Sequence, residues 1–273
     1  MAGPTLTQNL DANPFVEVFF DAASLHPDAA ELRVWRFSED RQWKVRGGWD
    51  IAIGTPALDW EVPFRSLATY RAEQFTAGGA TLGFTESSAT TVNVSGTWVH
   101  NPLEPSAGVF VEVDDESARE LSRPTPGSIV RTEGGSVPRR IGSRRRGLEG
   151  VDVVLNVDGL DRIAAFEAAL GDYGTDQQGV LCVRTADPVM WPRTFFAAAD
   201  AWPKTDKTVR TGGDWVQFRA SCDEVEPPAP GVVAPFLRYS DLDAAYPSLA
   251  ARDGRYGAYS AQDRDYSLVG VAG

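Results

Sequence analysis

Short runs of alternating apolar and polar residues, separated by turns, most constrain the fold of the N-terminal third. The run ELRVWRF at 31–37 places Leu32 and Val34 on one side and Arg33 on the other, the period-2 pattern of a half-buried strand. Similar runs lie at 15–21, 42–53, 58–64, 68–75 and 90–98. Six or seven short strands in about 85 residues, with no helix pattern, predict a β-sandwich over residues 1–97.

Residues 98–126 differ in composition from the strand patterns that precede them. A Pro-rich loop precedes one strand pattern at 109–113, and a polar stretch then ends in a second Pro-rich turn. Such a change in composition is typical of a boundary between domains. The sequence therefore predicts a Pro-rich junction at 98–126.

Residues 127–226 combine several strand patterns with one helix pattern, which predicts an α+β domain. The strand patterns lie at 148–159, 179–185 and 214–226, and 193–204 fits either a strand or a helix. The helix is predicted at 160–171, where Asp158 can cap the first turn and Gly171 can end the last. Its apolar face is formed by Ile163, Phe166 and Leu170.

The C-terminal segment is predicted to be an extended arm, 227–273, that begins with a semi-rigid Pro linker at 227–235. Ser240 can cap one short helix that Pro247 closes. Five of the chain's seven tyrosines lie here: Tyr239, Tyr246, Tyr256, Tyr259 and Tyr266. Tyrosine suits positions that are half buried and half wet, so we expect this arm to dock on a partner surface.

A basic run interrupts an acidic chain. The net charge is -12, yet five arginines fall within 139–146: Arg139, Arg140, Arg144, Arg145 and Arg146. They could contact phosphates or the carboxylates of another protein. No aromatics for base stacking are interleaved, no recognition helix is present, and an acidic chain repels nucleic acid. We therefore expect a protein–protein contact through Arg–carboxylate pairs and no nucleic-acid partner.

No catalytic, cofactor or metal motif is found in the sequence. His26 and His100 lie in Pro-flanked loops without a nucleophile motif, and Cys182 and Cys222 are predicted to be core thiols. The expectation is a non-enzyme without cofactor or metal, although dispersed carboxylates leave a glycosidase open. With no apolar run of about 20 residues and no secretory signal, no membrane insertion is expected.

Three stretches resemble minor tail proteins of long-tailed phages that infect actinobacteria. ALDWEVPFRSLATYRAEQF (57–75) resembles the back half of a fibronectin type III or similar immunoglobulin-like domain, with Tyr70 near the corner before a late strand. TWVHNPLEPSAGVFVEV (97–113) resembles the segment that follows such domains in these proteins. RYSDLDAAYPSL (238–249) is similar to short units at their C-termini.

The resemblance implies a structural virion protein made in the host cytoplasm. It would form a homo-oligomeric ring or collar at the tail tip or baseplate, as distal tail proteins do, and contact the tail tube or tail hub. The second domain would correspond to their β-barrel, the arginines would join subunits, and the tyrosine arm would cross a neighbour. The alternative is a carbohydrate-binding host-adhesion module that uses Trp43, Trp49 and Trp60 to bind a host-surface glycan.

Overall fold

Strands dominate the computed structural model, and the predicted mainly β class is confirmed. The structure describes residues 3–10, 13–131, 133, 136–171, 179–187, 190–208, 213–227, 239–246 and 248–256. The chain divides into two compact units, Met1–Ala229 and Pro230–Gly273. Among the described residues, no helix has the length and apolarity needed to cross a membrane.

Nine short strands form two sheets in the N-terminal region. They are β1 (Thr5–Asn9), β2 (Phe15–Phe19), β3 (Glu31–Ser38), β4 (Arg41–Lys44), β5 (Ile51–Ala52), β6 (Ala57–Asp59), β7 (Leu67–Phe75), β8 (Thr81–Phe84) and β9 (Ser88–Thr91). One sheet has the order β1-β2-β6. The other has the order β4-β3-β7-β8, with β5 paired to β3 and β9 to β7. Within 14–97 the only described helices are single 3₁₀ turns at Ala22–Ser24 and Arg46–Gly48.

The two N-terminal sheets share one apolar core. Alternate residues of β2, β3 and β7 point into it, and these include Val16, Val34 and Ala72, none of which is exposed. Phe20, which follows β2, is also buried there. The period-2 pattern of the sequence therefore marks the buried faces of these strands.

A second set of strands closes into a six-stranded antiparallel barrel. Its strands are β10 (Thr97–His100), β11 (Val109–Val113), β14 (Val151–Asp158), β15 (Val180–Thr185), β16 (Thr194–Ala198) and β18 (Trp215–Glu224). The order is β14-β11-β10-β15-β16-β18, and pairing of β14 with β18 closes the ring. The short strand β17 (Lys204–Asp206) pairs with the outer part of β18.

The barrel extends across the boundary predicted at residue 126. Strand β11 and all but the first residue of β10 lie in the segment 98–126, which the sequence predicts to be a junction, and both are barrel strands. The prolines between them occupy the connection of a β-hairpin, where Pro is tolerated, so they do not mark a linker. The ambiguous segment 193–204 begins with strand β16, because it pairs with β15 on one side and β18 on the other.

Helix α1 (Leu160–Leu170) packs its apolar face against the barrel core, as its spacing predicts. Ile163 and Phe166 are buried, and Leu170 packs at the edge of the same core. Asp158 does not cap this helix, because it is the last residue of β14 and the N-cap position is Gly159. Gly171 ends the helix with φ 106°, a conformation that favours glycine.

Two short helices, not one, are described in the second unit. Helix α2 (Tyr239–Ala245) contains Ser240 within its first turn, so Ser240 is not its cap. Helix α3 (Leu249–Arg255) is capped by Ser248, whose hydroxyl accepts a hydrogen bond from the Ala251 amide at 3.3 Å. The Pro linker at 227–235 lies almost wholly outside the described residues.

Candidate functional site

The predicted arginine run lies on a two-stranded antiparallel ribbon inserted between barrel strands β11 and β14. Its strands are β12 (Gly127–Val130) and β13 (Arg139–Gly142). Pairing continues to the barrel, where the Glu149 amide donates to the Ser122 carbonyl oxygen at 3.0 Å. We call residues 122–149 the ribbon.

Nothing described in the chain covers either face of the ribbon. Every described residue from 127 to 147 is exposed, including Ile129 at 68% and Ile141 at 64%. Ile129 stands opposite Arg140, and the next pair along the ladder, Ser128 and Ile141, faces the other side. Each face therefore presents an isoleucine to solvent. The run of arginines in the sequence gives no sign of these two exposed apolar side chains.

Two of the five arginines are positioned by the ribbon itself. The Nη2 of Arg140 donates to the Thr125 carbonyl oxygen at 2.5 Å, and the Nε of Arg145 reaches the Arg123 carbonyl oxygen at 3.5 Å. Gly127 and Gly142 pair across the strands, and a Cβ at either would lie within 3.5 Å of the Arg140 Nε. The missing side chains let Arg140 lie flat across the ribbon.

No arginine of the run has a carboxylate partner among the described residues. The seven ion pairs found there at N···O distances up to 4.0 Å involve none of the five. The ribbon carries seven arginines and two glutamates, a net charge of +5. Since the whole chain carries -12, the remainder carries -17. The charges of the chain are thus strongly separated.

The predicted tyrosine interface is described only in part. Tyr246, which follows α2, meets Tyr256, which follows α3, with hydroxyl oxygens 3.0 Å apart and ring centroids 5.9 Å apart. Tyr239 is the first residue of α2. Tyr259 and Tyr266 lie outside the described residues. The structure brings one pair of these tyrosines together and places the arginine run on a separate element.

A cluster of buried polar side chains joins the N-terminal sheets to the barrel, and no sequence motif indicated it. At its centre, Asp59 accepts hydrogen bonds from the Nη1 of Arg36 at 2.7 and 2.8 Å and from the Tyr70 hydroxyl at 2.8 Å. The Glu61 amide also donates to this carboxylate at 3.0 Å. Burial, and then the charge of Asp59, raise the pKa of Tyr70 well above its ordinary value, so the hydroxyl remains a donor.

Arg184 of the barrel enters this cluster of Arg36, Asp59 and Tyr70 from β15. We call the whole cluster the polar joint. Its Nη1 donates to the Pro14 carbonyl oxygen at 2.6 Å, its Nη2 donates to the Asn13 side-chain oxygen, and its guanidinium lies 4.6 Å from the centroid of the Phe64 ring. Burial lowers the pKa of Arg184 to about 10. Because backbone and amide oxygens hold its charge, Arg184 connects the two regions without a carboxylate of its own.

Two further ionisable groups complete the joint. Glu61 lies 3.1 Å from Arg46, and burial raises the pKa of Glu61 to about 7 although Arg46 opposes the shift. The Nδ1 of His100 lies 3.3 Å from the side-chain amide nitrogen, Nδ2, of Asn13. Burial, followed by the charges of Arg184 and Arg46, lowers the pKa of His100 well below its ordinary value. His100 is therefore a neutral structural residue.

The other residues considered for binding or chemistry have structural contacts. Trp60 stacks on Phe15 with centroids 4.0 Å apart, and Arg41 lies over Trp43 at 4.4 Å. Trp49 meets the edge of Trp35 at 5.0 Å. Cys182 and Cys222 are both buried and free, and burial raises the pKa of each thiol. In the described part of the chain, no three His, Cys, Asp or Glu side chains are grouped to hold a metal ion.

No protein-family model matches this chain, and no curated protein or solved structure is significantly similar to it.

Proposed function

We propose that the protein is a structural component of a phage tail, in a ring or collar at the tail tip or baseplate, and that it acts through subunit–subunit contacts. The observation that carries this proposal is the ribbon. It is cationic, apolar on both faces and uncovered, and it projects from an acidic body. An isolated two-stranded ribbon is marginally stable in water, so its natural environment is an interface.

The fold supports the proposal at two of the places where the sequence resembles tail proteins. The stretch 57–75 holds Asp59 and Tyr70, whose hydrogen bond ties β6 to β7, and these two strands belong to different sheets, which supports a fibronectin-like sandwich. The stretch 97–113 forms β10, the Pro-rich connection and β11 of the barrel.

The test is the solution mass and shape of the full chain beside a chain ending at Glu226, by light scattering and small-angle X-ray scattering. A ring-sized oligomer for the full chain and a smaller species for the truncated chain would support an assembly role for both the body and the tyrosine segment. Compact monomers in both samples at high concentration would contradict the proposal.

Host-surface glycan binding is the second candidate function. The observation in its favour is Trp49, which is half-buried beside Trp35 on the outward side of β3, with Lys44 4.4 Å from its ring centroid. A glycan array tests it with Trp49→Ala, and Trp60→Ala serves as the control because Trp60 stacks on Phe15 in the other sheet region. Selective binding that only the first substitution removes would support adhesion.

A further inference from the structure

The end of the barrel farthest from the ribbon carries a surface that complements the ribbon in charge and in apolar content. Two large apolar side chains are exposed there, Leu160 at 65% and Trp215 at 40%. Exposed carboxylates surround them: Asp158, Asp161, Asp206 and Asp214. We call these six residues the distal surface.

The members of the distal surface are held together by the barrel and its connections. Asp158 stands directly opposite Trp215 in the β14–β18 ladder, and Asp206 stands opposite the next residue, Val216. The Gly159 amide donates to the Asp214 carbonyl oxygen at 2.7 Å, which places the start of α1 beside them. Leu160 and Asp161 are the first two residues of that helix.

Carboxylates outnumber cations at this end of the barrel. Among the described residues, the cations closest in the chain are Lys204, which pairs with Glu167, Lys207, which follows β17, and Arg162, whose guanidinium lies 5.5 Å from the centroid of the Phe110 ring. None of the four aspartates forms an ion pair among the described residues. An arginine-bearing partner would therefore find carboxylates that no described cation already pairs with.

The ribbon and the distal surface lie at opposite ends of one strand pair. The ribbon joins β14 next to Val151, where the Gly150 amide donates to the Asp223 side chain at 2.8 Å. The distal surface begins at Asp158, about 23 Å away along the same strand. Every described residue from 127 to 147 is exposed, so the ribbon does not pack against the distal surface of its own barrel and leaves that surface open to a second copy.

From this arrangement we propose that the ribbon of one copy docks on the distal surface of a second copy, so that subunits join head to tail. Arg139 and Arg144 would pair with the aspartates, while Ile129 or Ile141 would cover Leu160 and Trp215. Two ribbons would repel each other because each carries a net charge of +5. A two-fold contact between ribbons is disfavoured, and a repeated heterologous contact produces a ring or a filament. This inference rests on the proposed assembly function and names its partner.

Two variants of the full chain each disable one side of the contact. Arg139→Glu with Arg144→Glu reverses two ribbon charges whose side chains, unlike those of Arg140 and Arg145, form no hydrogen bond among the described residues. Asp158→Arg with Asp161→Arg reverses two charges of the distal surface. The matched control for the distal-surface variant is Glu86→Arg with Glu120→Arg, which makes the same change in net charge at two exposed glutamates outside that surface. Circular dichroism and melting temperature establish that each variant is folded.

Light scattering over a concentration series measures the outcome. We expect each interface variant to raise the self-association dissociation constant about 30-fold or more, and the control to stay within about threefold of wild type. An equimolar mixture of the two interface variants should form a one-to-one dimer, because one keeps its distal surface and the other keeps its ribbon. Combining all four substitutions in one chain should restore self-association through the exchanged charges.

The results separate this inference from the function on which it rests. A wild-type oligomer that survives both interface variants would overturn the ribbon-to-barrel contact and leave the assembly function in place. Interface variants that stay monomeric when mixed would also overturn it. A wild-type chain that is monomeric at every concentration would remove both.

Discussion

Arg184 and Arg144 occupy opposite environments in the same chain. Arg184 is fully buried between two β regions, and carbonyl and amide oxygens meet its two terminal nitrogens. Arg144 is exposed on the ribbon and has no carboxylate within reach among the described residues. The polar joint uses arginine to fix two regions of one fold, whereas the ribbon leaves arginine available to another molecule. Substitutions in the joint should therefore change stability, and substitutions in the ribbon should change association.

The largest loss of stability is expected for Asp59→Asn. The change removes the negative charge opposite the buried guanidinium of Arg36, and an uncompensated buried charge costs about 3–5 kcal/mol. Urea-induced unfolding measures the free energy of unfolding. The control is Asp50→Asn, which breaks the ion pair with Arg33 at the surface and should cost less than about 1 kcal/mol. Equal losses in the two variants would remove the distinction between the joint and the surface.

The pH dependence of stability should reveal Glu61 as a second buried member of the joint. The pKa of Glu61 is about 7 in the folded chain, whereas the ordinary value for glutamate is 4.5. The folded state therefore holds the proton more tightly than the unfolded state does. This contribution is complete below pH 4.5 and is lost as the pH rises through 7, by up to about 3 kcal/mol. Glu61→Gln should remove that slope in urea titrations at successive pH values.

His100, in the same polar joint, should contribute a pH dependence of stability with the opposite sign. Its pKa lies well below 6.5 in the folded chain, so the unfolded chain takes up a proton first as the pH falls. Stability from this residue is lost below pH 6.5, by about 1.4 kcal/mol per pH unit. The variant His100→Gln should therefore resist acid better than Glu61→Gln does. Identical pH profiles for the two variants would contradict both assignments.

A smaller effect is expected for Tyr70→Phe. The substitution keeps the buried ring and removes the hydroxyl that donates to Asp59, and a hydrogen bond to a charged group contributes about 1.5–3 kcal/mol. We expect a loss at the lower end, because Arg36 and the Glu61 amide still bond this carboxylate. Thermal unfolding followed by circular dichroism measures it, and an unchanged melting temperature would show that the bond is dispensable.

The smallest effect on folding is expected for the ribbon. Replacing Arg144, Arg145 and Arg146 with Glu should change the free energy of unfolding by less than about 0.5 kcal/mol, because exposed charges with no carboxylate partner among the described residues contribute little. The same variant should lose self-association in light scattering. A marked loss of stability would show that these arginines support the fold, as the arginines of the polar joint do.

The parts of this fold that the sequence predicts are local. Alternation identifies β3 and β7, and helical spacing identifies α1, because each pattern needs only neighbouring residues. Closure of the barrel depends on the pairing of β14 with β18, which begin 64 residues apart, and no local pattern reports it. The prolines beside β10 resembled a linker because the sequence does not reveal which strands a hairpin will join.

The same distinction applies to the candidate site. The ribbon arginines are consecutive or nearly so, and a run of charge is visible without a structure. The polar joint was missed because Arg184 and Asn13 are 171 positions apart. Arg36 occupies a core-facing position of an alternating strand, which a sequence reading assigns to an apolar residue. Its partner Asp59 becomes apparent only when the sheets are packed.

The ribbon joins the barrel at its base, through the bridge between Ser122 and Glu149 and through Leu148, which is buried in the barrel core and hydrogen-bonded to Glu224. Its length is therefore independent of the barrel, because cross-strand pairs can be added or removed beyond that bridge without moving β11 or β14. Evolution or an engineer could change the reach of the contact in steps of about 3.4 Å per pair. The spacing between neighbouring subunits could thus be altered while the subunit itself folds as before.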